Sequence, residues 1–140
     1  MDLLKLVLSA VLLGLSGCAT VAGSTQSNEL DRVQYAWSGA IRWGDFESAI
    51  EMIDPKLREA NPPTAVDLER YKQVQISAYR DVGASADMKA GTAARDIEMG
   101  VINRHTQAER SVRYSERWRW DAQAKTWWLI SGLPDLSTGR

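Results

Sequence analysis

Between Ser111 and Trp120 the chain alternates: Val112, Tyr114, Trp118 and Trp120 share one parity, and Ser111, Arg113, Ser115, Arg117 and Arg119 share the other. A period of two puts successive side chains on opposite faces of a strand, and this composition predicts one covered face and one wet face. Two earlier stretches carry the same period. Val74, Ile76, Ala78 and Val82 share one strand face, with Gln73, Gln75, Ser77 and Tyr79 on the other. From about Ala94 to His105, Ile97, Met99 and Val101 oppose Asp96 and Glu98. A fourth strand, Thr126 to Ser131, is apolar on both faces and is stopped by Gly132-Leu133-Pro134. Asp87 to Thr92, with Gly91, and Asp121 to Lys125 read as the turns of hairpins.

Before Tyr71 the period is helical. Leu30, Val33, Trp37, Ala40 and Ile41 make one apolar stripe, Asn28 is placed to cap a helix starting at Glu29, and Gly44 ends it. Asp45 then caps a second short helix with Phe46, Ala49, Ile50 and Ile53 inward, closed by Asp54-Pro55. Pro62-Pro63 marks a loop, and Ala65 to Arg70 reads as a helical turn leading into the sheet.

Helices first and then a run of strands is an α+β pattern, with N-terminal helices packed on a curved antiparallel sheet of about four strands. The helix with Trp37, the Gly44-Asp45-Phe46 break, the long strands after Tyr71 and the Trp127-Trp128-Leu129 ending are similar to the NTF2-like and cystatin-like group. That resemblance spans nearly all of residues 29–136 and implies a helical layer across a strongly curved sheet, with room for a pocket between them. It does not fix a function.

The N-terminus changes the picture more than composition does. Met1 to Gly17 has a thin charged start at Lys5, an apolar run from Leu6 to Leu13 and small residues after it, the layout of an export signal. The run is too short to cross a bilayer, which takes about 20 residues. Leu15-Ser16-Gly17-Cys18 resembles the lipobox of bacterial lipoproteins. The resemblance implies cleavage between Gly17 and Cys18, a diacylglyceryl group on the Cys18 thiol and often an acyl chain such as palmitate on the new amine. The alternatives are a free, buried thiol or an ordinary signal cut nearby. Two or three acyl chains, at about 0.8 kcal/mol per buried methylene, would hold the chain to a bilayer almost permanently. Ala19, where retained lipoproteins carry Asp, implies the periplasmic side of the outer membrane in a two-membrane host. Residues 18–28 are small and polar without a period and read as a flexible tether, and residues 137–140 as a frayed tail.

A net charge of −1 disfavours a nucleic-acid partner. With one His and one Cys in the chain, no zinc set is expected, and no cofactor motif is recognisable. The single cysteine also forbids an internal disulfide, so stability must come from packing. Six tryptophans are the compositional oddity, and most cluster between Trp118 and Trp128.

For chemistry, His105 shares parity with Ile97 and Met99, and Glu116 shares parity with Tyr114 and Trp118. His105, Glu116 and Tyr114 could line a pocket, and a carboxylate beside a histidine is a general acid/base pair. Against that, His105 falls at a sheet end if the Thr106 to Ala108 turn joins these strands. The plainer alternative is a solvated turn histidine and a Glu116 satisfied by an arginine. The aromatic cluster reads mainly as core. Trp127 and Leu129 have opposite parity to Trp128 and Ile130, so one pair must leave the main core. With Trp127 outside, Arg113, Arg117, Arg119 and Trp127 would form a partner surface; a bulge or a changed register swaps the pairs. The expectation is a membrane-anchored, noncatalytic lipoprotein domain that binds a protein partner or a second copy of itself, or supports an envelope assembly. The runner-up is a small-molecule-binding domain, with an isomerase or hydrolase behind it.

Overall fold

A computed structural model describes residues 18–136. The signal segment 1–17, the tail 137–140 and the Cys18 side chain lie outside the described residues. Among the described residues four helices, α1 (Cys18–Trp43), α2 (Phe46–Glu51), α3 (Pro55–Ala60) and α4 (Ala65–Lys72), precede four strands, β1 (Val74–Asp87), β2 (Thr92–Asn103), β3 (Glu109–Asp121) and β4 (Thr126–Leu129). The strands form one antiparallel sheet in the order β1-β2-β3-β4. This is the α+β architecture expected, with helices packed on an open four-stranded sheet.

The predicted stripe of α1 is buried: Leu30, Val33, Trp37, Ala40 and Ile41 all face the sheet. Its start differs from expectation. Residues 18–28 are not an unstructured tether, because the helix runs back through Asn28 to Cys18. Extending an existing helix adds a bond for each residue fixed without a new nucleus. The segment is also tied to the body: Gln26 Nε2 donates to Met88 O (2.9 Å), and Gln26 O accepts from Trp127 Nε1 (2.9 Å). At the other end Gly44, at φ +73°, closes α1 with Asp45 N donating to Ala40 O at 2.8 Å.

Asp45 caps α2 as predicted, accepting from Ser48 N. Asp54-Pro55 opens a helix as well as ending one. Asp54 accepts from Lys56 N and caps α3, and Pro55 sits in the first turn, where its missing N–H leaves no bond unmade. Thr64 and Asp67 form a reciprocal capping box on α4. The residues just before α3 also close the sheet's last edge. Ile53 bridges Leu129 in parallel, with Asp54 N donating to Leu129 O and Leu129 N to Met52 O, each 2.9 Å.

Two bulges in β1, between Ile76 and Ala78 and between Asp81 and Gly83, reset the alternation. The first moves Tyr79 from its predicted outer position to the covered face, opposite Met99. The same shift turns Val82 outward, where it is left unpaired at the second bulge and exposed, whereas simple alternation put it inward. Gly100 accommodates the first bulge: a Cβ there would run into Ser77 Oγ and come within 3.3 Å of Ala78 N. Among the described residues no helix is long and apolar enough to cross a membrane.

Candidate functional site

Two inward-facing polar regions lie along the covered face. The first is at mid-sheet, where Arg95 on β2 stands opposite Glu116 on β3. Both have the parity of the apolar residues around them, and Glu116 is fully buried. Arg95 Nε donates to Glu116 Oε2 at 2.9 Å and Arg95 Nη2 to Oε1 at 2.8 Å, a two-pronged ion pair. Trp118 Nε1 donates to Oε2 at 3.0 Å and Tyr79 O–H to Oε1, while Trp37 Nε1 donates to the Tyr79 oxygen at 3.0 Å. Arg95 Nη2 also donates to Ser38 Oγ on α1 at 2.9 Å.

Burial foremost, and then the Glu116 carboxylate, push the Tyr79 phenol far above its ordinary value, so it remains a donor. Burial works against the Arg95 charge, but the bonded carboxylate outweighs it and raises the guanidinium further. Each Glu116 oxygen thus has two donors. The cluster clamps α1 to β1, β2 and β3, and Glu116 has no spare acceptor for a substrate proton.

The second region lies at the end of the sheet, in a cleft of about 790 Å³. One wall is α3 and α4 with the Pro62-Pro63 loop between them, the floor is the ends of β1, β2 and β3, and residues 130–136 form the opposite wall. Two tyrosines pin that last wall. Tyr71 O–H donates to Pro134 O at 2.8 Å while its ring stacks on Phe46 with centroids 4.2 Å apart. Tyr114 O–H donates to Gly132 O at 2.6 Å and lies 3.1 Å from Ser131 Oγ. Burial, with Asp135 and Asp67 nearby, pushes the Tyr71 phenol up to about 12.

Leu57, Tyr71, Val74 and Leu133 supply apolar lining, Arg58, Arg70 and Arg110 positive charge, and Asp67 and Asp135 negative charge. Arg110 lies opposite Val101 on the covered face, where β3 begins. Its Nε is buried without a hydrogen-bond partner, and so is Arg58 Nε, although Arg58 Nη1 donates to Glu51 Oε2 at 2.8 Å.

The residues singled out in the sequence are dispersed. His105 is exposed in the turn between β2 and β3, its Nε2 against Gln73 Oε1 and its backbone N–H held by Asn103 Oδ1 at 2.8 Å. Glu116 is at mid-sheet, satisfied by Arg95, so the two are not an acid/base pair. Tyr114 holds the cleft's wall rather than joining them. On the outer face Arg113 and Arg117 are exposed, but Arg119 is bonded to the Asp54 carboxylate. Its guanidinium, bonded to Asp54, holds that carboxyl below its usual range.

Trp127 is not on this surface. The hairpin register pairs Trp120 with Trp127 and Trp118 with Leu129, which puts Trp127 in the core at 1% exposure. Trp128 takes the outer position opposite Arg119, its Nε1 donating to Asp121 Oδ2 at 3.1 Å. The inward arginines Arg58, Arg95 and Arg110 were not foreseen. Arg95 and Arg110 had a readable signal, a charge on the apolar parity of a strand; Arg58 had none.

Among the described residues no group of three or more His, Cys, Asp or Glu side chains is placed to hold a metal ion. No protein-family model matches the sequence, and no curated protein matches it. Among solved structures the chain is similar to the solution structure of a SEC-C motif containing protein from Rhodopseudomonas palustris. The TM-score is 0.55, at 20% identity, over 75% of this chain and 75% of that one. Likeness at that identity is likeness of fold.

Proposed function

We propose that this chain is a lipid-anchored, NTF2-like binding domain of the cell envelope that holds a small molecule in the cleft at the end of its sheet. The observation that carries this reading is the cleft itself. Its volume of about 790 Å³ falls within the roughly 300–1,000 Å³ of small-molecule sites, and it combines apolar walls with a few convergent polar groups. Binding rather than turnover is proposed because His105 and Glu116 are held apart and each has partners of its own. The anchor rests on the lipobox-like Leu15-Ser16-Gly17-Cys18, and the outer membrane on Ala19. With α1 helical from Cys18, the domain would sit on a short helical stalk rather than a loose tether.

Native mass spectrometry of the chain extracted from its own membrane tests the cleft. The expected result is a bound mass of a few hundred daltons that is lost in Leu57→Trp, which fills the cleft. Only unliganded protein, in wild type and variant alike, would contradict the reading. For the anchor, Cys18→Ala is expected to abolish acyl labelling and release the chain from membranes; labelling that persisted would refute it.

A second reading has its own observation. Arg113 and Arg117 remain exposed on the outer sheet face, half-buried Trp128 lies further along that face, and Ile130 is 40% exposed. A protein partner or a second copy of the chain docking there would be disrupted by Arg113→Glu/Arg117→Glu and unaffected by Leu57→Trp.

A further inference from the structure

Resting on the reading of the cleft as a small-molecule site, we infer that its ligand is an anion: an apolar body carrying a carboxylate or phosphate head that the guanidiniums of Arg58 and Arg110 receive. Buried donors without a partner are rare in folded proteins and cost stability when left so. Here there are two, both Nε atoms of arginines lining one cleft, from α3 and the start of β3; being closed to water they do not face the cleft themselves, and a ligand would meet these side chains through their other guanidinium N–H groups.

Arg110 shows the point most plainly. It occupies an inward position on β3, where a Leu or Val would pack, yet its Nε is buried with no hydrogen-bond partner. Arg95, inward on β2, is bonded through Nε and Nη2 to the Glu116 carboxylate. The planar fork of an arginine matches the two oxygens of a carboxylate or phosphate, and a low-dielectric wall strengthens that bond. The acidic lining residues do not fill the role. Asp67 is engaged in the capping box with Thr64, and Asp135 lies near Tyr71, whose phenol it helps to raise. The apolar lining from Leu57, Val74 and Leu133 suits the rest of the ligand.

Fluorine NMR of the full chain in phospholipid nanodiscs tests this, with three probes of similar body: 4-fluorobenzoate, 4-fluorophenyl phosphate and 4-fluorobenzyl alcohol. The expected result is that one or both anions bind at least about ten-fold tighter than the alcohol, since hydrogen bonds to charged groups are of that order. Which anion wins identifies the head group. Arg110→Met is expected to remove the preference, whereas Arg113→Met, the same charge lost from the outer face, leaves it intact. Arg58→Met should weaken anion binding in the same sense and serves if Arg110→Met does not fold, judged by near-ultraviolet circular dichroism. Equal binding of alcohol and anions, unchanged in either variant, would overturn the anion inference and leave the cleft as a neutral site. No binding of any probe, together with only unliganded mass from native extracts, would remove both.

Discussion

The middle and the end of the same sheet face solve the problem of an inward arginine in opposite ways. At mid-sheet Arg95 meets Glu116 across two strands, and Tyr79 and Trp118 complete the carboxylate's bonds, so charge inside the core becomes a clamp. At the end Arg110 sits on the same face with the same chemistry, and its Nε has no hydrogen-bond partner. Burial does not by itself tell whether a charge serves the fold or a ligand. The number of bonds it already makes does.

The comparison is broken most severely at its saturated half. Arg95→Met leaves a buried carboxylate unpaired and is expected to destabilise by about 3–5 kcal/mol, measured by urea unfolding. A loss under about 1 kcal/mol would mean that the pair carries no structural weight. Tyr79→Phe removes one donor to Glu116 and the acceptor for Trp37, an expected cost of about 1.5–3 kcal/mol by the same measurement. Arg110→Met, in contrast, removes a buried donor that nothing satisfies, so its effect without ligand is expected within about 0.5 kcal/mol of zero or stabilising.

Acid unfolding supplies a subtler contrast. The Arg119 hydrogen bond, offset in part by burial, lowers Asp54 from its ordinary 3.8. A carboxylate depressed in the folded state binds fewer protons there than in the unfolded chain, so its stabilisation is complete above pH 3.8 and is lost as the pH falls through the lower folded value. Arg119→Leu is expected to reduce stability at neutral pH and flatten the acid limb of the pH profile. Arg110→Met should leave the shape of that limb unchanged.

Most of the architecture was legible because one-sided burial writes a period into the chain. The α1 stripe, the Gly44-Asp45 break and the β3 alternation all follow from it. What escaped was local. A bulge at Ser77 moves Tyr79 to the other face, and nothing in a run of mixed small and polar residues announces the extra residue. The hairpin register decided between Trp127 and Trp128, and both choices satisfy the same pattern. The helical start at Cys18 depends on contacts of Gln26 with residues far along the chain, which a small, polar composition does not reveal. The site was less legible still. Arg95 and Arg110 could be noticed as charges on an apolar parity, but Arg58 gives no such mark, and whether an inward arginine finds a carboxylate is a fact of three-dimensional register.

The Nε–H resonances of the arginines measure the contrast directly. In a proton–nitrogen correlation spectrum of the full chain without ligand, the Arg95 Nε–H is expected to be protected from solvent exchange and unmoved by added 4-fluorobenzoate or 4-fluorophenyl phosphate. The Arg110 Nε–H, assigned by its loss in Arg110→Met, is also buried but should shift when one of these anions binds the same guanidinium. An Arg110 signal indifferent to both anions would contradict the account.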